Sequence, residues 1–143
     1  MNAFHLLSQR LQSLNLIREI EDILNEMDEK VVTLVQGQLA EGRRGDGLLL
    51  PPYRESTKLI KQMNNTILMG DRIALIDTGD FWKGFFAKAY NGGIEVDSKE
   101  WKRDMLVERY GEPIFQLAPD SLEAIVEDLF PKLQTRVHDI LSR

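Results

Sequence analysis

The chain contains no cysteine, which excludes disulfides, thiolate metal sites and thiol nucleophiles. Histidine is scarce: the 2 present, His5 and His138, lie at opposite ends in helical patterns, where each reads as a surface or boundary residue. No window approaches the roughly 20 apolar residues of a membrane span. The opening residues Met1–Arg10 lack the apolar run and cleavage site of a secretory signal, so none is expected. Positive charge is also in deficit. With 18 Lys and Arg against 23 Asp and Glu, the net charge is -5, which argues against nucleic acid as the main partner because phosphate binding needs a basic surface. No serine sits in a Gly-x-Ser-x-Gly elbow, and no glycine-rich stretch continues into the Gly-Lys-Ser/Thr of a phosphate loop.

What remains is enough for one real core: 143 residues, of which 43% are hydrophobic. The fold class read from the pattern is α+β. The expected parts are a long N-terminal helix, a small antiparallel sheet with an Asn-Gly hairpin, and flanking helices including a C-terminal one. The organisation is a single domain, 1–143, made of a helical arm over 1–41, an α+β core over 42–117 and a C-terminal helix over 118–143.

Along the arm, apolar residues recur at Leu7, Leu11 and Leu14, then at Ile20, Leu24, Met27, Val31 and Leu34, the spacing of one helical face. The phase slips between Leu14 and Ile20. Either one helix or two broken near Met27-Asp28-Glu29 is expected. Unbroken over Phe4–Val35 it would run about 48 Å, long for so small a domain. Its stripe at Leu7, Leu11 and Leu14 is therefore a candidate subunit interface. The acidic run Glu19, Glu21, Asp22, Glu26, Asp28 and Glu29 reads as a solvated face, so no metal or cofactor site is expected.

Glycines from Gly37 to Gly47 end the helix in a flexible loop. Within it Arg44-Gly45-Asp46 matches the tripeptide of cell-adhesion ligands, a coincidence on so short a string. Leu48-Leu49-Leu50 predicts a short strand stopped by Pro51-Pro52. A helix over Arg54–Asn64 is expected to turn Leu59, Ile60 and Met63 inward. Period-two alternation from Phe86 to Tyr90, and again at Ile94 and Val96, flanks Asn91-Gly92-Gly93, a hairpin signal. Asp97-Ser98-Lys99-Glu100 predicts a capped helix ending at Tyr110-Gly111, and Pro113–Leu117 an extended piece. Asp120-Ser121-Leu122-Glu123 reads as a capping box for a closing helix, which Pro131 kinks or divides.

The most specific stretch is Leu75-Ile76-Asp77-Thr78-Gly79-Asp80-Phe81-Trp82-Lys83-Gly84-Phe85. It admits two incompatible readings. In one, Asp77 is the carboxylate of a homodimeric, retropepsin-like aspartic protease, sharing a proton with its symmetry mate, and Thr78 orients it. That enzyme is nearly all strand, whereas half of this sequence is helical in pattern. In the other, Asp77 or Thr78 caps a short helix through Asp80-Phe85, its side-chain oxygen taking a free backbone N–H.

The same block resembles the Leu-x-x-Thr-Gly-x-Leu/Phe-x-x-Ser block of the head–tail joining, or tail-completion (neck), proteins of tailed bacteriophages and prophages. Gly84 departs from the usual serine, and Phe81 is larger than the common leucine. Gln36-x-Gln38-Leu39 through Asp46-Gly47 and Pro52-Tyr53 resemble the preceding arm of prophage members, and Tyr110-Gly111-Glu112-Pro113-Ile114-Phe115 their downstream segment. The resemblance covers about Gln36 to Leu117 and leaves the N-terminal helix unaccounted for. It implies a non-enzymatic virion protein, assembled in the host cytoplasm as a homo-oligomeric ring between portal or adaptor and tail proteins. In it Thr78 caps, Gly79 permits a tight turn, Phe81 and Phe85 anchor the helix on the sheet, and the loop at Arg43 and Arg44 and the hairpin tip at Asn91 and Gly92 are available as interfaces. It implies no membrane and no sequence-specific nucleic acid. A helical adaptor domain that binds a protein partner is the remaining alternative.

Overall fold

The structure, a computed structural model, describes residues 3–63, 73, 75, 80–90 and 92–142. It is an α+β fold: seven α-helices and one two-stranded antiparallel sheet among the described residues.

The N-terminal arm is three helices rather than one: α1 (Ala3–Ser13), α2 (Leu16–Glu26) and α3 (Asp28–Ala40). The first break has a capping cause. Asn15 takes the N-cap position of α2 in an extended conformation, and its Oδ1 accepts the Arg18 N–H at 3.2 Å. The phase slip after Leu14 is this break. The second break falls at Met27, where the sequence placed it; Met27 ends α2 and is itself buried, 4% exposed.

Helices α2 and α3 carry the centre of the core: Ile23, Val31, Val35 and Leu39 are wholly buried. Against them lies the sheet of β1 (Phe85–Tyr90) and β2 (Gly93–Ser98), in register from Phe85 opposite Ser98 to Tyr90 opposite Gly93. Ala89 and Val96 face the core, whereas Lys88 and Tyr90 face water, as period-two alternation requires. Asn91 lies outside the described residues. Two side chains of α2 fix the hairpin: Asn25 Oδ1 accepts the Ala89 N–H and Glu21 Oε1 the Gly92 N–H, each at 3.0 Å.

Between arm and sheet come α4 (Glu55–Met63) and the single-turn α5 (Asp80–Lys83); after them come α6 (Arg103–Tyr110) and a 3-10 helix, Glu112–Phe115. The last replaces the expected extended piece, because Pro113 fixes φ near the helical value at the start of the turn. Helix α6 starts later than the sequence implies. Asp97 and Ser98 finish β2, and Ser98 Oγ donates to the Phe81 carbonyl at 3.0 Å instead of capping a helix. Leu48–Leu50 form no strand; one isolated bridge, Arg43 to Leu49, is their sheet-like pairing. The face of α4 expected inside is outside: Leu59, Ile60 and Met63 are 60%, 58% and 78% exposed.

Helix α7 (Pro119–Ser142) closes the fold. At 24 residues it is about 36 Å long, and it runs through Pro131 without ending. Pro119 occupies its first turn, so Asp120 is not the cap. Ile125 is buried, yet Leu122, Val126 and Phe130 on the same helix remain 47%, 56% and 55% exposed. Arg136 ties α7 to α2, reaching Glu19 at 3.3 Å, Asp22 at 3.8 Å and also Glu26; Lys30 of α3 pairs with Asp128 at 2.8 Å. At the far end Arg10 of α1 donates to the Leu141 carbonyl at 2.6 Å.

Candidate functional site

Of the Asp77-Thr78-Gly79 motif, all three residues lie outside the described set. Its aromatic half is described. Phe81 is 4% exposed and meets Phe85 edge to face, ring centroids 5.0 Å apart; Phe115 completes the cluster at 5.9 Å from Phe81 and 5.4 Å from Phe85. Phe81 and Phe85 thus pin α5 and β1 onto the 3-10 helix, an anchoring arrangement. Between them, Gly84 is dictated by proximity. A Cβ there would stand 2.8 Å from Ser98 Oγ and 3.0 Å from the Glu100 nitrogen, so a side chain at this position would not fit without movement.

The arginine loop is built into the molecule. Arg44 forks onto Asp46 and donates to the Tyr110 carbonyl at 2.7 Å, and the Gly45 N–H donates to the Pro113 carbonyl at 2.8 Å. A Cβ on Gly45 would lie 2.2 Å from the Gln116 oxygen. Arg43 pairs with Glu41 at 2.7 Å and Asp120 at 3.3 Å. These bonds leave their mark on acidity. Hydrogen bonding to Arg44 holds the Asp46 carboxyl below its ordinary range, and bonding to Arg43 does the same for Asp120. An adhesion reading of Arg44-Gly45-Asp46 needs both charges free, and here they satisfy each other.

The other interface candidates divide. Leu7 and Leu11 are 44% and 51% exposed on α1, Leu14 is half-buried, and Gly92 is half-buried with its N–H bonded to α2.

The most site-like concavity draws on residues the sequence did not bring together. A cavity of about 490 Å³ opens between the Pro51–Lys61 segment and α6, within the size range of ligand pockets. Its floor is apolar: Leu75, Phe81 and Leu106, with Tyr53 beside them. Leu75 is buried with φ at 60°, the left-handed region that costs a branched residue roughly 1–2 kcal/mol. Four cations line the cavity: Arg54, Lys61, Lys102 and Arg109; no acidic side chain is among its described lining. Lys61 Nζ stands 5.3 Å above the Tyr53 ring, and Arg109 lies 5.6 Å from the Tyr110 ring centre. The cations come from stretches about fifty residues apart in sequence. The one local trace of them is the excess of Arg54, Lys58 and Lys61 in an otherwise acidic chain.

No helix among the described residues is long and apolar enough to cross a membrane. No family model matches the chain, and no curated protein or solved structure matches it.

Proposed function

We propose that the chain is a non-enzymatic structural protein of a tailed-phage virion, part of the head–tail connector or tail-completion ring. The observation that carries this reading is the apolar surface left open at three places on one small domain. On α1 and the start of α2, Leu7, Leu11 and Ile17 are 44%, 51% and 57% exposed. The α4 face and the Leu122–Val126–Phe130 stripe of α7 add two more. A chain that stays monomeric has little use for several such faces, whereas a ring subunit needs at least two, one for each neighbour. The Thr-Gly block and its flanking segments supply the specific form of the proposal. The anchoring role of Phe81 and Phe85 agrees with an architectural use of that block.

The protease alternative calls for a mostly β framework, whereas the described residues form seven α-helices and one two-stranded sheet.

The test is cryo-EM and mass spectrometry of the phage particle, with native mass spectrometry of the purified chain. The expected result is density for this fold at the neck, in a closed ring. A chain absent from particles and monomeric at every concentration would sink the proposal. Leu7→Glu with Leu11→Glu is expected to keep the far-UV circular dichroism of the parent and to reduce assembly at least tenfold.

A further inference from the structure

The described lining of the pocket between the Pro51–Lys61 segment and α6 carries cations in a chain that is acidic overall. The chain carries -5 overall, yet four cations and no described carboxylate line this cavity. The ion pairs formed among the described residues leave out Arg54 and Arg109. Cations gathered around an apolar floor present two kinds of complementarity at once, one to carboxylates and one to a bulky hydrocarbon or aromatic group. The ground beside the mouth is apolar as well: Trp101 is 78% exposed and Met105 55%, with Lys102 Nζ 5.5 Å from the Trp101 ring centre.

We infer that this pocket is a docking site for an acidic peptide segment of a partner protein, one carrying an aromatic or large aliphatic side chain between carboxylates. The apolar side chain enters over Leu75, Phe81 and Leu106, and the flanking carboxylates meet Arg54 and Arg109 at the rim. Arginine forks suit carboxylates, and Trp, Tyr and Arg are the residues that anchor protein interfaces. A nucleic-acid strand offers anions too, but its continuous phosphate charge would be repelled by the rest of an acidic molecule. A peptide brings a few charges and then ends. The inference does not rest on the ring assignment, and it holds for any partner that offers such a segment.

Fluorescence anisotropy decides it. The probe is a fluorescein-labelled decapeptide of alternating glutamate and phenylalanine, with alternating lysine and phenylalanine, and labelled oligothymidylate, as controls. The glutamate peptide is expected to bind, to weaken as salt rises, and to shift the emission of Trp101, a shift lost in Trp101→Phe. The double variant Arg54→Glu with Arg109→Glu, both exposed and so compatible with folding, is expected to weaken binding roughly tenfold or more. Reversal of a cation on the sheet, Lys88→Glu, is expected to leave it unchanged. No binding of the glutamate peptide, equal binding of the lysine peptide, preference for oligothymidylate, or binding indifferent to the double reversal would each overturn the inference. The measurement is made at protein concentrations where the chain is monomeric, so a failed ring and a failed pocket are told apart.

Discussion

Gln38 is buried, 2% exposed, and both ends of its amide are used. Its Nε2 donates to the Gln116 carbonyl and its Oε1 accepts the Ala118 N–H, each at 2.8 Å. One side chain thereby imitates a neighbouring strand for the segment between the 3-10 helix and α7. Gln38→Ala leaves that segment's polar groups without partners inside the protein and opens a hole. The expected loss is about 2–4 kcal/mol in urea unfolding. Gly45 is as exacting for a different reason. Gly45→Ala drives its new methyl into the Gln116 backbone and is expected to cost more than about 2 kcal/mol, read in the same experiment. An arginine loop indifferent to that change would show that it is not held as described.

Among the elements, α7 tolerates a proline that most helices would not. Pro131 is exposed and cannot donate to the turn before it. Pro131→Ala restores that hydrogen bond and is expected to stabilise the protein by about 1–3 kcal/mol, seen as a rise in Tm; a fall would mean that the bend itself is packed against a neighbour. The elements also differ in how plainly the sequence announces them. Ile23, Leu24, Met27 and Val31 repeat with the period of a buried face, and Phe86 to Val96 with the period of a hairpin, because both patterns reflect local burial. Helix α4 has the same kind of stripe, but no described element lies over Leu59, Ile60 and Met63; periodicity reveals a face and not what meets it. Leu48–Leu50 have strand composition, but among the described residues no strand pairs with them. The Asn15 cap was legible in residue type, and the slip of phase after Leu14 is the trace it leaves in the apolar pattern. The pocket was the least legible feature, since its cations come from two stretches that meet only when the chain folds.

For the molecule as a whole, acid is the informative variable. Asp46, Asp120 and Asp128 are all held below their ordinary range, through hydrogen bonds to Arg44, Arg43 and Lys30 respectively. A carboxyl depressed in the folded state contributes stability above its unfolded pKa and loses it as pH falls through the folded value. Stability is therefore expected to be level near neutrality and to decline below about pH 4. Asp128→Asn should flatten that decline while changing the neutral midpoint little, by chemical denaturation across the pH range. These pairs are exposed, so each contribution is small.

The grip of Arg136 on α2 sets the order in which the chain can mature on a ribosome. Helix α2 emerges well before α7, so Ile23 and Leu24 wait to be covered until Ile125 and the guanidinium that gathers Glu19, Asp22 and Glu26 have been made. The nascent polypeptide thus carries an unfinished centre until α7 has emerged, and chaperones have that whole interval in which to engage it. A stop codon before α7 would release a product that is a target for proteolysis rather than a shortened version of the same protein.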